Sequence, residues 1–213
     1  MEKKNYSYIG ISFIILIFGI YAVPKIVASM SSNDLVTIGK VPVFTLTNQD
    51  NNPFSNTDLK GKVYVLEFFF TSCGSICPKM NKSMLQLQDK FGLNREFAIV
   101  SITIDPERDT VEKLKKHMQE LGVSMKNWNM LTGDKDYIYN LANKGFNLFA
   151  GENPKLEDKF EHSGLFALID KDGNIRSRTI KQGEFENPLV YYDALDPKGM
   201  RMIKEDIKKL LDE

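Results

Sequence analysis

The chain alternates between two hydrophobic periods, which predicts strands and helices in turn. The segment KVYVLEFFF, Lys62 to Phe70, is a run of β-branched and aromatic residues that is typical of a strand covered on both faces. Directly after it, from Ile76 to Phe91, apolar residues recur at spacings of three and four, the period of an amphipathic helix. This stripe includes Cys77, Met80 and Met84. Stripe methionines are usually core residues, so we expect these two in the core rather than as thioether ligands.

The later segments continue the alternation. FAIVSITID predicts another buried strand, and Asp109 with Glu112 three residues later predicts a capping box for the helix VEKLKKHMQELG. We expect a third strand in WNMLTG, a helix in DYIYNLANKGF, a hairpin about Asp172 and Gly173, and a terminal helix in MRMIKEDIKKLLD. An edge hairpin is expected earlier, in VPVFTLTNQDNNPFSNTDL. This order predicts an α/β, thioredoxin-like fold with a central mixed sheet flanked by helices.

The N-terminal residues carry a different pattern. Two lysines precede an uncharged apolar run from about Tyr8 to Val23, which Pro24 ends. The length of this run lies between that of a signal-peptide core and that of a full membrane span. A segment of either kind would direct the rest of the chain out of the cytoplasm. Because no clear cleavage site is present, we expect residues 1–34 to be a retained signal anchor with one transmembrane helix, followed by a linker. Residues 35–213 then form one domain outside the cytoplasmic membrane, facing the periplasm or its equivalent.

The charge balance limits the kinds of partner. Lys plus Arg and Asp plus Glu number 28 each, so the formal net charge is zero. The field of the whole protein therefore gives no case for binding nucleic acid. A small or specific partner is expected instead.

The two cysteines of the chain, Cys73 and Cys77, lie between the first buried strand and its helix, with three residues between them. A disulfide that closes so short a loop constrains little of the unfolded chain, which disfavours a purely structural role. If the helix begins near Cys73, the two residues lie one turn apart, with about 6 Å between their Cα atoms. That separation suits both a reversible disulfide and two thiolates on one soft metal ion. The helix N-terminus also favours thiolate at the first cysteine.

Two sulfurs leave a copper(I) ion under-coordinated, and the chain has two histidines that are candidates for a third ligand. His117 lies among lysines of a predicted helix, where we expect it in solvent. His162 lies before the strand LFALID. In thioredoxin-like proteins a cis-proline in this loop packs against the cysteine pair, and Gly164 falls near its place. His162 is therefore expected to point toward the thiols, with a surface-loop position as the alternative.

Asp105 comes after a predicted central strand and has two interpretations. Its carboxylate can lie near the metal edge of the sheet and attract a cationic partner, or D-P-E-R-D can be a turn that leads into a helix. Oxygen ligands suit copper(I) poorly, so we do not predict Asp105 as a ligand.

Together these residues resemble the Sco/SenC family of copper proteins, which assist assembly of cytochrome c oxidase. The resemblance covers about Val41 to Glu213. It rests on T-x-C-x-x-x-C-P from Thr71, D-P-x-x-D-T from Asp105, LTGDK from Leu131, and the His-Ser pair before LIDKDG. The resemblance implies that Cys73, Cys77 and His162 bind copper, as Cu(I) and Cu(II), and that the cysteines can cycle between dithiol and disulfide.

The resulting hypothesis is a membrane-anchored copper metallochaperone that delivers copper by ligand exchange. Its expected partner is the copper-bearing subunit of cytochrome c oxidase or another exported copper protein. The alternative is a thiol-disulfide oxidoreductase that uses Cys73 and Cys77 to reduce the oxidase copper site or another exported protein. A thiol peroxidase ranks last, because Phe69 stands where that motif has proline. His162 discriminates between the first two functions, since a dithiol reductase has no evident need for it.

Overall fold

The computed structural model describes residues 7–30, 35–153, 155, 160–182, 185–188 and 191–213. The chain divides into two compact units, Met1–Asp34 and Leu35–Glu213. The first unit contains the helix α1 (Ser7–Met30). The lysines at 3 and 4 and the linker at 31–34, which entered the anchor prediction, lie outside the described residues.

Within the described part of the chain, no helix has both the length and the apolar character needed to cross a membrane.

The second unit contains strands and helices in alternation. In chain order the strands are β1 (Leu35–Lys40), β2 (Thr45–Asn48), β3 (Pro53–Ser55), β4 (Val63–Phe69), β5 (Phe97–Thr103), β6 (Trp128–Thr132), β7 (Ala150–Glu152), β8 (Phe160–His162), β9 (Leu165–Ile169), β10 (Asn174–Gln182), β11 (Phe185–Pro188) and β12 (Tyr192–Asp193). The helices are α2 (Cys77–Phe91), α3 (Val111–Leu121), α4 (Lys135–Asn140) and α5 (Pro197–Asp212). Short 3₁₀ and π-helical turns cover Asn56–Leu59 and Leu141–Phe146.

The main sheet has the order β1-β10-β9-β4-β5-β6-β2-β3. Strands β4, β5 and β6 are parallel, whereas β9 pairs antiparallel with β4 and β10 pairs antiparallel with β9. Helix α5 packs against β4, and α3 packs against β6. Strands β7 and β8 form a separate two-stranded sheet. The predicted mixed sheet with flanking helices is therefore confirmed.

The predicted strands and helices are present, and the strands that were not predicted are mostly short. The hairpin of β2 and β3 lies at the edge of the sheet as predicted, and β9 and β10 form the hairpin about Asp172 and Gly173. Strands β7, β8 and β12 have only two or three residues each, too few to show a hydrophobic period. The predicted capping of α3 by Asp109 is wrong, because Thr110 is the N-cap and accepts a hydrogen bond from the Lys113 amide.

The core is built on the central strands. All seven residues of β4 and all seven of β5 are buried, as expected for parallel strands covered on both faces. Met80 and Met84 are fully buried and belong to this core, which confirms their predicted packing role.

A buried ion pair ties the C-terminal helix to the sheet. Asp206 of α5 is fully buried and accepts two hydrogen bonds from the Arg178 guanidinium of β10, at 2.7 and 2.6 Å. The Tyr192 hydroxyl of β12 donates to the same carboxylate at 2.7 Å. Glu205 also contacts Arg178, at 3.2 Å, but its side chain is half exposed. One carboxylate thus joins three elements in a low-dielectric environment.

Asp206→Ala should lower the free energy of unfolding by about 3 to 5 kcal/mol, because it leaves the Arg178 charge buried without its main partner. Glu205→Ala is the matched control and should cost less than about 1 kcal/mol, since its contact with Arg178 is solvent-screened. Denaturant unfolding of both variants measures the difference. Equal losses would contradict the assignment of Asp206 as the organising carboxylate.

Candidate metal centre

The two cysteines occupy different local structures at the end of β4. Cys73 lies in the loop after this strand, and Cys77 is the first residue of α2. The prediction that both lie one turn apart on the helix is therefore wrong. The start of α2 is set by Pro78, which lacks an N–H and has the backbone angle of a first helical turn. Both thiols are free, with Cys73 8% exposed and Cys77 1% exposed.

The N-terminus of α2 nevertheless acts on Cys73, as predicted. The Cys77 backbone N–H points at the Cys73 Sγ atom, with 3.4 Å between nitrogen and sulfur. The Ser75 Oγ atom lies 3.5 Å from the same sulfur. Unpaired N–H groups of a helix start favour negative charge, so this arrangement stabilises a thiolate at Cys73.

His162 reaches the thiols from the β7–β8 hairpin. It is the last residue of β8, opposite Ala150 of β7, and it is buried. Its Nε2 atom lies 3.1 Å from the Cys77 Sγ atom, and its Nδ1 atom lies 3.1 Å from the Ser163 carbonyl oxygen. A proton on Nδ1 satisfies that carbonyl and leaves the lone pair of Nε2 directed at the sulfur. Phe70 contacts the imidazole edge-on at 5.7 Å between ring centroids, which fixes the plane of the ring.

The three donor atoms form one group. The Sγ atoms of Cys73 and Cys77 and a ring nitrogen of His162 all lie within 4.8 Å of one another, and all three residues are buried. The expectation that His162 points at the thiols agrees with this geometry, although no cis peptide bond is present among the described residues. Gly164, expected near the cis-proline position, accepts a hydrogen bond from the Ala194 amide instead.

The two sulfurs share one proton unequally. A hydrogen bond with Cys77 holds the pKa of the Cys73 thiol well below its usual range, although burial acts in the opposite direction. Conversely, the hydrogen bond with Cys73 and burial raise the pKa of the Cys77 thiol. These pKa directions favour the thiolate at Cys73 over the thiolate at Cys77, which makes Cys73 the stronger nucleophile.

Asp109 fixes the loop that carries Cys73, a role that sequence reasoning missed. Its fully buried carboxylate accepts hydrogen bonds from the backbone amide of Thr71, at 2.9 Å, and from the Thr71 hydroxyl. It also accepts from the Thr103 hydroxyl at the end of β5, at 2.6 Å, and lies 3.3 Å from the Lys113 ammonium. Both motifs, T-x-C from Thr71 and D-P-x-x-D-T from Asp105, were visible in the sequence. Only the fold shows that they are in contact.

Glu67 is a second buried carboxyl group near the site. The sequence pattern does not single it out, because it lies within a run of apolar residues. It lies within β4, fully buried, and its Oε1 atom accepts a 2.7 Å hydrogen bond from the Ser101 hydroxyl of β5. Its Oε2 atom has no partner among the described residues. Burial raises the pKa of Glu67 to about 8, despite the opposing hydrogen bond from Ser101. Its negative charge is also one of the smaller causes that raise the pKa of Cys77.

Asp105 serves the turn after β5. Its carboxylate forms an ion pair with Arg108, and its carbonyl oxygen accepts from the Arg108 and Asp109 amides at 3.1 and 2.8 Å. Burial raises the pKa of Asp105, while the hydrogen bond from Arg108 lowers it. Asp105 is not part of the Cys73, Cys77 and His162 group that the described residues form. These contacts favour the turn interpretation.

The prediction that His117 lies in solvent is wrong. Helix α3 turns this residue toward the end of β4, where its ring stacks on Phe69 at 5.9 Å between centroids. Its Nε2 atom is buried without a hydrogen-bond partner among the described residues. Burial lowers the pKa of His117. The local sequence, rich in lysine, did not indicate which face of the helix packs inward.

The donor set suits a soft metal ion. Two thiolates and an imidazole are ligands that copper prefers, and they hold copper(I) better than oxygen ligands do. The same sulfurs can be oxidised when no metal protects them. The group is therefore able to bind copper, and its two thiols also permit redox chemistry.

Comparison with known proteins agrees with this chemistry. The family model described as SCO1/SenC matches residues 37–190. Among curated relatives, a SCO1 protein homolog of Bacillus subtilis is 37% identical over 138 residues, which are 64% of this chain and 71% of that protein.

Solved structures give the same family. A SCO1/SenC family lipoprotein of Bacillus anthracis matches with a TM-score of 0.71 and 29% identity over 84% of this chain and 98% of that one. BsSco, described as having a disulfide switch and as a member of the Sco family of cytochrome c oxidase assembly proteins, matches with a TM-score of 0.67 and 31% identity, covering 83% and 95%. Yeast Sco1 with copper bound matches with a TM-score of 0.55 and 25% identity, covering 80% and 89%. Because the family model matches well over half of this chain, the chain belongs to the SCO1/SenC family.

Proposed function

We propose that this protein is a membrane-anchored copper metallochaperone that holds copper on Cys73, Cys77 and His162 and delivers it to cytochrome c oxidase during assembly. The observation that carries the proposal is the convergence of these three donor atoms within 4.8 Å. Three soft or borderline donors at one point, with no carboxylate among them, form a site that selects copper over hard cations.

The burial of the site fits a carrier of copper. Both sulfurs and the imidazole are less than a tenth exposed, so bound copper is shielded from water and from oxidants. The described residues supply three ligands, which leaves room for a ligand of the receiving protein to join before one of the carrier leaves. Copper is thus a cargo that moves by ligand exchange rather than a permanent cofactor.

The relatives support the choice of metal and partner. Yeast Sco1 has been crystallised with copper bound, and BsSco is described as belonging to a family of cytochrome c oxidase assembly proteins. We extend both properties to this chain. The copper-bearing subunit of the oxidase is then the expected recipient, with another exported copper protein as the alternative.

His162→Ala should weaken copper(I) binding by about tenfold, or about 1.4 kcal/mol, because both sulfurs remain. Copper(II) should be lost more severely, since it depends more on the imidazole. His117→Ala is the matched control and should leave both affinities unchanged. Competition with a chelator for copper(I), and visible and electron paramagnetic resonance spectra for copper(II), measure these effects. A His162→Ala protein with wild-type copper(II) affinity and spectrum would remove His162 from the site.

A thiol-disulfide oxidoreductase is the second candidate, and the observation that favours it is the Cys77 backbone N–H directed at the Cys73 sulfur, which stabilises a thiolate there. In this reaction the Cys73 thiolate attacks a sulfur of the partner's disulfide and forms a mixed disulfide, while the leaving sulfur takes up a proton. Cys77 then loses its proton, attacks the Cys73 sulfur and releases the partner as a dithiol. The partner gains two electrons and this protein becomes the disulfide. His162 is not required for these steps, so His162→Ala should keep wild-type thiol oxidation, and a variant that loses only copper binding would favour the chaperone.

Oxidation of the two cysteines to a disulfide should weaken copper(I) binding by more than about a hundredfold, because the sulfurs lose their thiolate charge. Added reductant should restore binding. Anaerobic copper(I) titration of the reduced and oxidised protein, with free thiols counted in parallel, tests this expectation. If both forms take up copper(I) equally tightly, the cysteines are not the ligands.

We also propose that residues 1–34 anchor the protein in the cytoplasmic membrane, with residues 35–213 on the extracytoplasmic side. The support is the uncharged apolar run from Tyr8 to Val23. Within this run Phe13, Leu16, Phe18 and Tyr21 are exposed, and such side chains favour a lipid environment over water.

The mature protein should accordingly retain Tyr8 to Val23 and fractionate with membranes. Intact-mass measurement of the purified protein determines where the mature chain begins, and carbonate extraction tests its membrane attachment. A mature N-terminus between Ala28 and Asp34 would show that the segment is a cleaved signal peptide.

A further inference from the structure

A groove with strong positive charge lies between α2 and α5. It has a volume of about 610 Å³. We call it the basic groove, and its cations are Lys79, Lys82, Lys90, Arg201 and Lys204. The formal net charge of the whole chain is zero, so this is a local concentration of charge rather than a general excess.

The positive charge of the basic groove is not compensated within the described part of the chain. None of its five cations forms an ion pair there. The two carboxylates that line the groove have other partners: Asp196 accepts from the Lys198 amide at the start of α5, and Glu205 pairs with Arg178. Burial and the neighbouring Lys90 charge lower the pKa of Lys204, as expected for a cation that lacks a counter-ion.

The basic groove adjoins a second groove that leads to the sulfurs. We call this the thiol groove; it has a volume of about 330 Å³ and is lined by both cysteines, Asn81 and His117. Lys82 lines both grooves and connects them. A segment that crosses Lys82 can therefore occupy both grooves, and the thiol groove is the one lined by Cys73 and Cys77.

The thiol groove contains polar atoms that lack partners. Asn81 is 7% exposed, and its Oδ1 atom has no hydrogen-bond partner among the described residues. The buried Nε2 atom of His117 is in the same situation. Both residues belong to the wall of the thiol groove, beside the two cysteines.

We propose that the basic groove docks an acidic, thiol-bearing segment of the protein that exchanges copper with Cys73 and Cys77. This rests on the proposed function. A polypeptide segment is favoured over a membrane surface because the cations line a groove that shares Lys82 with the groove of the buried sulfurs, which a layer of lipid headgroups does not reach. Carboxylates of the segment neutralise the unpaired cations, and its thiols arrive at the thiol groove. Each incoming thiol loses its proton as it binds copper, and the departing cysteine of this chain takes up a proton.

The test uses two synthetic peptides with the same two cysteines, one flanked by glutamates and the other by glutamines. In a first experiment serine replaces both cysteines of each peptide, so that only docking is measured. These peptides are titrated into the reduced, copper-free, full-length protein by calorimetry at low salt. The acidic peptide should bind at least about tenfold more tightly than the neutral one, and high salt should remove the preference. Copper(I) transfer to the cysteine versions should show the same preference in rate.

The double variant Lys82→Gln/Arg201→Gln should lose most of the preference in both measurements. Both side chains are exposed, so the fold is not expected to change, and thermal unfolding checks this. The matched control is Lys60→Gln/Lys126→Gln, which removes the same charge from exposed positions outside the basic groove and should retain the wild-type preference. Equal binding of the two peptides by the wild-type protein, or equal losses in groove and control variants, would overturn the proposal.

Two further outcomes separate the alternatives. Binding of the Lys82→Gln/Arg201→Gln variant to phosphatidylglycerol and phosphatidylcholine vesicles is also compared with that of the wild-type protein. If this variant loses the preference for phosphatidylglycerol but keeps the preference for the acidic peptide, the cations face a membrane and the docking proposal is wrong. If the wild-type protein does not retain copper(I) against a chelator, the proposed function fails. The calorimetric arm contains no copper, so it still decides whether the groove binds an acidic segment.

Discussion

Strands β4 and β9 pair antiparallel, with Leu66 opposite Ala167, and the metal-binding group depends on this pairing. The cysteines lie beyond the C-terminal end of β4, and His162 precedes the N-terminal end of β9. In an antiparallel pair these two ends lie side by side. The Cys77 sulfur and the His162 imidazole, 85 residues apart in sequence, consequently come within 3.1 Å. A parallel pairing would place His162 at the opposite end of the sheet.

Buried carboxylates then hold the segments around these strands. Asp109 links the start of the cysteine loop to the end of β5 and to Lys113 of α3. Asp206 links α5 to β10 and β12 through Arg178 and Tyr192. Each carboxylate has several hydrogen bonds, which compensates the cost of burying its charge. Glu67 has fewer partners, and its raised pKa reflects that difference.

The two sides of the metal-binding group have different character. His162, Phe70 and the β7–β8 hairpin cover one side with aromatic rings and a defined hydrogen bond to Ser163. The thiol groove lies on the other side, where Asn81 and His117 retain unpaired polar atoms among the residues described. One side therefore completes the ligand set, while the other leaves a route by which a partner can reach the sulfurs.

The local features of this protein can be predicted from its sequence. A buried strand, a cysteine pair and an amphipathic helix can be deduced from hydrophobic period and residue type, and so can the hairpin about Asp172 and Gly173, because these signals act over a few neighbouring residues. The soft character of the donors also depends on residue type alone. The packing of His117 on Phe69 and the contact of Asp109 with the cysteine loop could not be deduced in this way. These features depend on strand order and register, which bring together segments that are distant in sequence and that no local period encodes.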